Sequence, residues 1–146
     1  MARPAAVRTA MKRATTRARR DPFEQVRKVG LALPGVEAAT KYDGSPVLKV
    51  GGCFMAGLAM DPSAEPDSLV VRVGLEEREW LLEDAPETYY ITDYHRPYPV
   101  VLARLARLDR DALRDLLTVS RRLALAKTRK RRRAVQSGIR MRRSRS

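Results

Sequence analysis

A β-hairpin is encoded by residues 46–60, whose sequence is PVLKVGGCFMAGLAM. Two apolar runs, residues 46–50 and 53–60, flank the dipeptide Gly51-Gly52. Glycine tolerates the positive φ angles that a two-residue hairpin turn requires. A third apolar run, residues 69–73, is rich in β-branched side chains and follows the polar turn at residues 61–67. These patterns predict an antiparallel sheet at the centre of the domain.

Two helices are predicted on either side of these strands. The stretch Asp21-Pro22-Phe23-Glu24 has an N-cap acid, a proline at the first helical position and a glutamate three residues after the cap. Pro34-Gly35 ends this helix. Three glutamates at residues 76–79 favour the start of a short helix through Leu82, because negative charge is stabilised at a helix N-terminus. We expect Trp80 to be the apolar anchor of that helix.

The last part of the domain completes the fold class. Residues 89–92 predict a strand, and residues 100–108 fit either a strand or a helix. A final helix begins at Asp109, the N-cap, and places Leu113, Leu116, Leu117 and Ser120 on one face. The sequence therefore predicts a single α+β domain, in which an antiparallel β-sheet is backed by helices.

The charge of the chain is unevenly distributed. The 146 residues carry a net charge of +13, but residues 1–20 hold +7 and residues 121–146 hold +12, with no acid in either segment. Residues 21–120 are left with −6. We therefore predict flexible basic tails at residues 1–20 and 127–146 around a domain at residues 21–126. Such tails bind DNA or another polyanion without sequence preference. The densest cations of the C-terminal tail are Arg129, Lys130, Arg131, Arg132 and Arg133.

The sequence favours a cytoplasmic protein that has no membrane partner. No apolar run approaches the ~18 residues of a membrane span, and the single Cys53 cannot form an intramolecular disulfide. The Arg- and Thr-rich start, which contains no acid, also fits a transit peptide, which is the alternative for the first 20 residues.

Catalytic and metal-binding motifs are not found in the sequence. The chain has one histidine, His95, and no G-x-S-x-G elbow, Walker A or G-x-G-x-x-G motif. One histidine and one cysteine do not make a zinc site, and the acids of residues 76–87 match no calcium loop. We therefore expect no metal, no cofactor and no enzymatic activity, with acid/base chemistry at His95 as the alternative.

Aromatic side chains cluster around His95. Tyr90, Tyr94 and Tyr98 lie near Arg96, and aromatics interleaved with cations stack on bases or recognise a partner. In the alternative interpretation, alternate tyrosines pack onto the sheet with their hydroxyls at its rim.

Three segments resemble the MmcQ/YjbR family: FEQVRKVGLALPGVE at 23–37, GGCFMA at 51–56 and YITDYHRPYPVVLARL at 90–105. The resemblance covers about residues 22–128 and excludes both tails. It implies a frataxin-like (CyaY-like) fold in which residues 100–105 form a strand. It also implies DNA binding through a "double-wing" motif, with the Gly51-Gly52 hairpin as one wing and residues 93–99 in a second.

We therefore predict a non-enzymatic MmcQ/YjbR-type DNA-binding protein whose basic tails supply sequence-independent affinity. The cations expected to contact nucleic acid from the domain are Lys41, Lys49, Arg72 and Arg96. The net charge of −6 weighs against duplex binding by the domain alone. The alternative is a protein or small-ligand interaction module that uses a sheet face and the aromatic loop around His95, with Tyr90, Tyr94, Arg96 and Tyr98. In that case the tails are incidental to its function.

Overall fold

The structure is a computed structural model that describes residues 21–144, with side chains through residue 137. The prediction for residues 1–20 lies outside the described residues. The elements in chain order are α1 (Glu24–Leu31), β1 (Val36–Thr40), β2 (Pro46–Val50), β3 (Cys53–Leu58), β4 (Ser68–Arg72), α2 (Leu75–Asp84), β5 (Tyr89–Tyr90), β6 (Val100–Arg104) and α3 (Arg110–Ser144). The strands form one antiparallel sheet in the order β1-β2-β3-β4-β6-β5. The predicted α+β class and single domain are confirmed.

The predicted hairpin is present and consists of β2, the Gly51-Gly52 turn and β3. Gly51 and Gly52 have φ angles of +57° and +77°, which is the combination that a primed two-residue turn needs. The register between β2 and β3 shifts after Leu48, so that Leu48 pairs with Ala56 and Lys49 pairs with Phe54. The residue left between them is Met55, and this β-bulge turns both Met55 and Ala56 into the core.

Strand β1 was not predicted, although it pairs with β2 along its whole length. Its sequence, VEAAT, lacks the apolar alternation of a half-buried strand, and only Val36 is buried. β1 lies at the edge of the sheet and is held by its pairing with β2. Local sequence patterns do not encode that kind of stabilisation.

One face of the sheet is covered by helices. Phe23 and Val26 of the α1 region and Leu117 of α3 are fully buried against sheet residues such as Leu48 and Met55. Burying each such side chain contributes about 1.5–3 kcal/mol. Helix α1 lies closest to the sheet at Gly30, where an added Cβ would overlap Cδ1 of Leu48 in β2.

The opposite face carries a smaller apolar cluster. Val70, Val100 and Leu102 form it, with Phe54 and Tyr90 packed against them. Within residues 21–144, no helix packs over this cluster, because the core contacts of α1 and α3 lie on the other side. We call this surface the open face.

Helix α2 corrects one prediction. Trp80 was expected to anchor it, but Trp80 is 56% exposed and no residue of α2 is buried. Leu81 and Leu82 make the partial contacts with the core instead. The helix lies beside β5 and β6 at one end of the sheet, so only its inner edge reaches apolar side chains.

Helix α3 begins as predicted and ends later than predicted. Asp109 Oδ1 accepts a hydrogen bond from the Ala112 N–H at 2.7 Å, which confirms the N-cap. We expected a flexible tail from residue 127, but the helix continues to Ser144. Thr128 is buried against Gly51 and Cys53, and residues 129–137 are all exposed. Arginine, lysine, alanine and glutamine are good helix formers, so the run that looked like a solvated arm also suits a helix.

Candidate functional site

A groove of about 620 Å³ crosses the open face. Its floor is formed by Phe54, Val70 and Val100, and loops rise on either side of it. This volume lies in the range of about 300–1,000 Å³ that ligand sites occupy. The groove is therefore the candidate binding site of the domain.

One wall is the aromatic loop, residues 91–99. Thr92 organises it, because its carbonyl accepts hydrogen bonds from the N–H groups of His95 at 3.1 Å and Arg96 at 3.0 Å. The Thr92 hydroxyl and His95 Nδ1 share a further hydrogen bond of 2.6 Å. The Tyr98 N–H donates to the His95 carbonyl at 3.0 Å. These bonds make a compact turn that brings the Tyr94 and Tyr98 rings to 6.3 Å between centroids.

His95 is buried inside this turn. Burial lowers the pKa of His95 below its usual value, and the nearby carboxylate of Asp61 opposes part of that shift. The ring packs edge-on against Tyr94, with 5.0 Å between centroids. His95 therefore acts as a neutral, hydrogen-bonded support for the aromatic loop.

Arg78 of α2 contacts the aromatic loop from outside, and no sequence pattern predicted this contact. Its Nη1 donates to the carbonyls of Arg96 at 3.2 Å, Tyr98 at 2.9 Å and Val100 at 3.2 Å. The only sequence signal is that Arg78 is the lone cation among the acids of EEREWLLED. Its role depends on a contact about 20 residues away, which local patterns do not specify.

Three of the predicted nucleic-acid-binding cations meet around Phe54. Lys41 Nζ lies 5.4 Å from the centre of the Phe54 ring. Arg72 Nε donates to the Phe54 carbonyl at 2.6 Å, and Lys49 is the cross-strand partner of Phe54. Arg96 is not part of this group, because it is exposed and pairs with Asp93 at 3.8 Å.

Two carboxylates also border the groove. Asp43 accepts hydrogen bonds from the Ser45 hydroxyl at 2.6 Å and the Ser45 N–H at 3.0 Å, which lower the pKa of Asp43. Asp61 makes the same two contacts with Ser63, and they lower the pKa of Asp61. Both side chains are therefore charged at neutral pH, and the groove carries charges of both signs.

Tyr90, predicted with the interaction loop, is held in the sheet by contacts of its hydroxyl and its ring. Its hydroxyl accepts a hydrogen bond from the Glu65 N–H at 2.9 Å and is hydrogen bonded to Ser68. The guanidinium of Arg104 lies 4.5 Å from the centre of the Tyr90 ring and forms a 2.6 Å ion pair with Glu65. Tyr90 is thus fixed in the sheet and does not line the groove.

The remaining predicted cations lie on α3. Arg129, Lys130, Arg131, Arg132 and Arg133, here called the basic segment, are all exposed. They follow Thr128, whose hydroxyl donates to the Gly51 carbonyl at 3.4 Å. Lys127, just before Thr128, borders the groove. The basic segment therefore begins beside both the hairpin turn and the groove.

Two further kinds of site are absent from the described part of the chain. There, no three or more His, Cys, Asp or Glu side chains are grouped so that they would hold a metal ion. None of the helices described has the length and apolar character needed to cross a membrane.

Comparison with known proteins identifies the family. Searches of curated proteins and of solved structures find no match. The family model described as YjbR matches residues 31–123, which is more than half of the chain. The match runs from the last residue of α1 through all six strands into α3, and it excludes the basic segment. The chain therefore belongs to the YjbR family.

Proposed function

We propose that this YjbR-family protein is a non-enzymatic DNA-binding protein whose basic segment supplies sequence-independent affinity. The observation that carries the proposal is the exposure of five consecutive cations on a helix that has left the core. No acid follows Asp115 in the chain, and none of the ion pairs within the described residues involves the basic segment. Each cation that contacts a phosphate releases condensed counterions, which favours binding at low salt.

The helical form limits how many of these cations act together. Successive residues on an α-helix are turned by about 100°, so five in a row point in all directions. About two or three of them face one DNA backbone at a time. This number sets the expected salt dependence, at about 0.9 log units of affinity per tenfold change in salt for each phosphate contact.

The position of the segment supports contacts from the domain as well. Thr128 packs on Gly51, so the turn of the hairpin lies next to the first residues of the basic segment. A DNA backbone lying along the segment would pass this turn. The double-wing role of the hairpin remains a prediction that this proximity favours.

The test compares two full-length variants that lose the same charge. One replaces the five residues of the basic segment by glutamine. The other replaces five exposed cations elsewhere on the domain: Lys28, Arg107, Arg110, Arg114 and Arg122. Binding to two duplexes of unrelated sequence is measured by fluorescence anisotropy across a salt series. We expect the slope of log affinity against log salt to fall by about two in the first variant and by less than about one in the second.

Two results would contradict this proposal. Equal losses in the two variants would mean that net charge alone matters. A wild-type preference of more than about tenfold for one duplex would mean that the protein reads sequence.

A second candidate function is a protein or small-ligand interaction module. The groove of about 620 Å³ favours it, because Tyr94 and Tyr98 are more than half exposed at its wall. This candidate predicts that a groove ligand binds equally well to the wild type and to the variant lacking the basic segment. Isothermal titration calorimetry with the two proteins measures this.

A further inference from the structure

We propose that the groove on the open face stacks unpaired nucleobases, so that the protein prefers single-stranded to duplex DNA. The inference rests on the proposed DNA binding for the identity of its ligand, but it assigns that ligand to a second surface. In a duplex the bases face inward and cannot enter the groove. An unpaired strand offers its bases to aromatic side chains.

Exposed apolar side chains are concentrated at this groove. Eight large hydrophobic residues are exposed in the described part of the chain, and four of them line it: Tyr42, Met60, Tyr94 and Tyr98. Tyr94 and Tyr98 are 57% and 53% exposed, so their rings are not required to fill the core. Such rings provide a stacking surface that accepts any base, because every base has a π-face.

The floor of the groove is pre-organised. Phe54 lies on the open face and is fixed through its carbonyl by Arg72. Gly57 makes room for its ring, since an added Cβ there would lie 3.2 Å from Cε2 of Phe54. The aromatic loop opposite is held by Thr92 and Arg78. A ligand would therefore meet aromatic groups that are already in place, which lowers the entropic cost of binding.

The groove carries charges of both signs. Its lining carries three cations, Lys41, Arg72 and Lys127, and two charged carboxylates, Asp43 and Asp61. The cations supply hydrogen-bond donors and the two carboxylates supply acceptors within one lining. A base edge carries both donors and acceptors, which matches a lining of both signs.

The groove is also continuous with the basic segment. Lys127 borders the groove and lies two residues before Arg129. When the bases of a strand occupy the groove, its phosphates would thus lie near the exposed cations of α3. This arrangement combines a stacking surface with a basic track, as in proteins that bind single strands without sequence preference.

The experiment uses the full chain and removes the exposed rings. Tyr94→Ala and Tyr98→Ala are combined, and Trp80→Ala is the matched control, because Trp80 is 56% exposed and lies outside this groove. The probes are a labelled oligothymidylate of about 15 nucleotides and a duplex of the same length. We expect the double variant to bind the oligothymidylate roughly tenfold more weakly and the duplex within about twofold of the wild type. The control should bind both probes like the wild type.

A conservative variant separates stacking from folding. Tyr94→Phe combined with Tyr98→Phe keeps both rings, so we expect it to retain single-strand affinity. If the alanine variant proves unfolded by circular dichroism, Tyr94→Leu with Tyr98→Leu replaces it, since leucine keeps apolar contact but offers no π-face.

The outcomes distinguish this proposal from the proposed function. If the Tyr94→Ala/Tyr98→Ala variant binds the oligothymidylate as tightly as the wild type does, the groove proposal is overturned. The basic segment is then the DNA site, and a protein or a small ligand is the partner that fits the groove. An equal loss on duplex and single strand would also overturn the groove proposal. Suppose that glutamines in the basic segment change the affinity for neither probe, and that the Tyr94→Ala/Tyr98→Ala variant binds the oligothymidylate more weakly. The proposed function then fails, and the groove assignment stands. Binding of neither probe by the wild type would overturn both.

Discussion

At the scale of single residues, burial favours the neutral protonation state of His95. The sequence offered two roles for this histidine, a hydrogen-bonded or stacked loop residue and an acid/base group. The structure buries its ring beside Thr92 and Tyr94, where the neutral form is favoured. A neutral ring that is hydrogen bonded within its own turn supports the loop. Its burial depends on how the loop folds onto the sheet, and the residues around His95 in sequence do not reveal this.

The lowered pKa of His95 predicts a pH dependence of stability. Because the folded-state pKa lies below the usual value of 6.5, the unfolded chain takes up a proton first as the pH falls. The stability from the neutral ring is therefore fully present above about pH 6.5 and is lost as the pH falls from there through the folded-state pKa. Urea unfolding of the wild type between pH 7.5 and 5 should show this decrease.

His95→Gln provides the control for that measurement. His95 is the only histidine in the chain, and the carboxylates with lowered pKa, Asp43, Asp61 and Glu65, titrate at lower pH. The variant should therefore show almost no pH dependence between pH 7.5 and 5. An unchanged decrease in the variant would assign the effect to another group.

At the scale of elements, the sequence predicted what local chemistry specifies. The Gly51-Gly52 turn and the Asp109 N-cap are both confirmed, because each depends on residues within a few positions. Strand β1 was missed and Trp80 was misplaced, because both depend on contacts distant in sequence. Of the residues that the sequence put forward, the groove brings together Tyr94, Tyr98, Lys41 and Arg72, whereas Tyr90 does not line it. No sequence pattern predicted the contact of Arg78.

The three hydrogen bonds of Arg78 predict that α2 controls the order of the aromatic loop. Arg78→Met removes the donors and keeps an unbranched chain of similar length. The carbonyls of Arg96, Tyr98 and Val100 then lose a charged partner, which we expect to weaken the loop by about 1–2 kcal/mol. Amide hydrogen exchange should accelerate at His95 and Tyr98, whose N–H groups form the internal bonds of the loop.

Arg96→Met is the comparison for this prediction. Arg96 belongs to the same loop, but its ion pair with Asp93 is exposed and 3.8 Å long. Such pairs contribute little to stability, so exchange in the loop should stay near that of the wild type. Equal acceleration in both variants would show that Arg78 has no special role.

At the scale of the whole molecule, the domain and its cations have opposite signs. Residues 21–120 carry −6, and the flanking segments carry +7 and +12. The sequence shows where these cations lie along the chain. It does not show that those of the basic segment lie on a helix of 35 residues, about 52 Å long, whose N-terminal half packs against the core. The helix connects the basic segment to the fold, because the residue before the segment, Thr128, packs on the hairpin turn.

The division of charge predicts that duplex affinity comes almost entirely from the flanks. We compare three full-length proteins with glutamine replacements: the ten cations of residues 127–146, the seven cations of residues 1–20, and both together. Each set that contributes two or three phosphate contacts should lower duplex affinity roughly a hundredfold at about 0.1 M salt, and the losses should add on a logarithmic scale. The combined variant, whose domain repels phosphates, should then show no measurable duplex binding by anisotropy. Duplex binding that persists in this variant with a steep salt slope would instead assign the affinity to the domain, with Lys41, Lys49 and Arg72 as the contacts and the hairpin as a true wing.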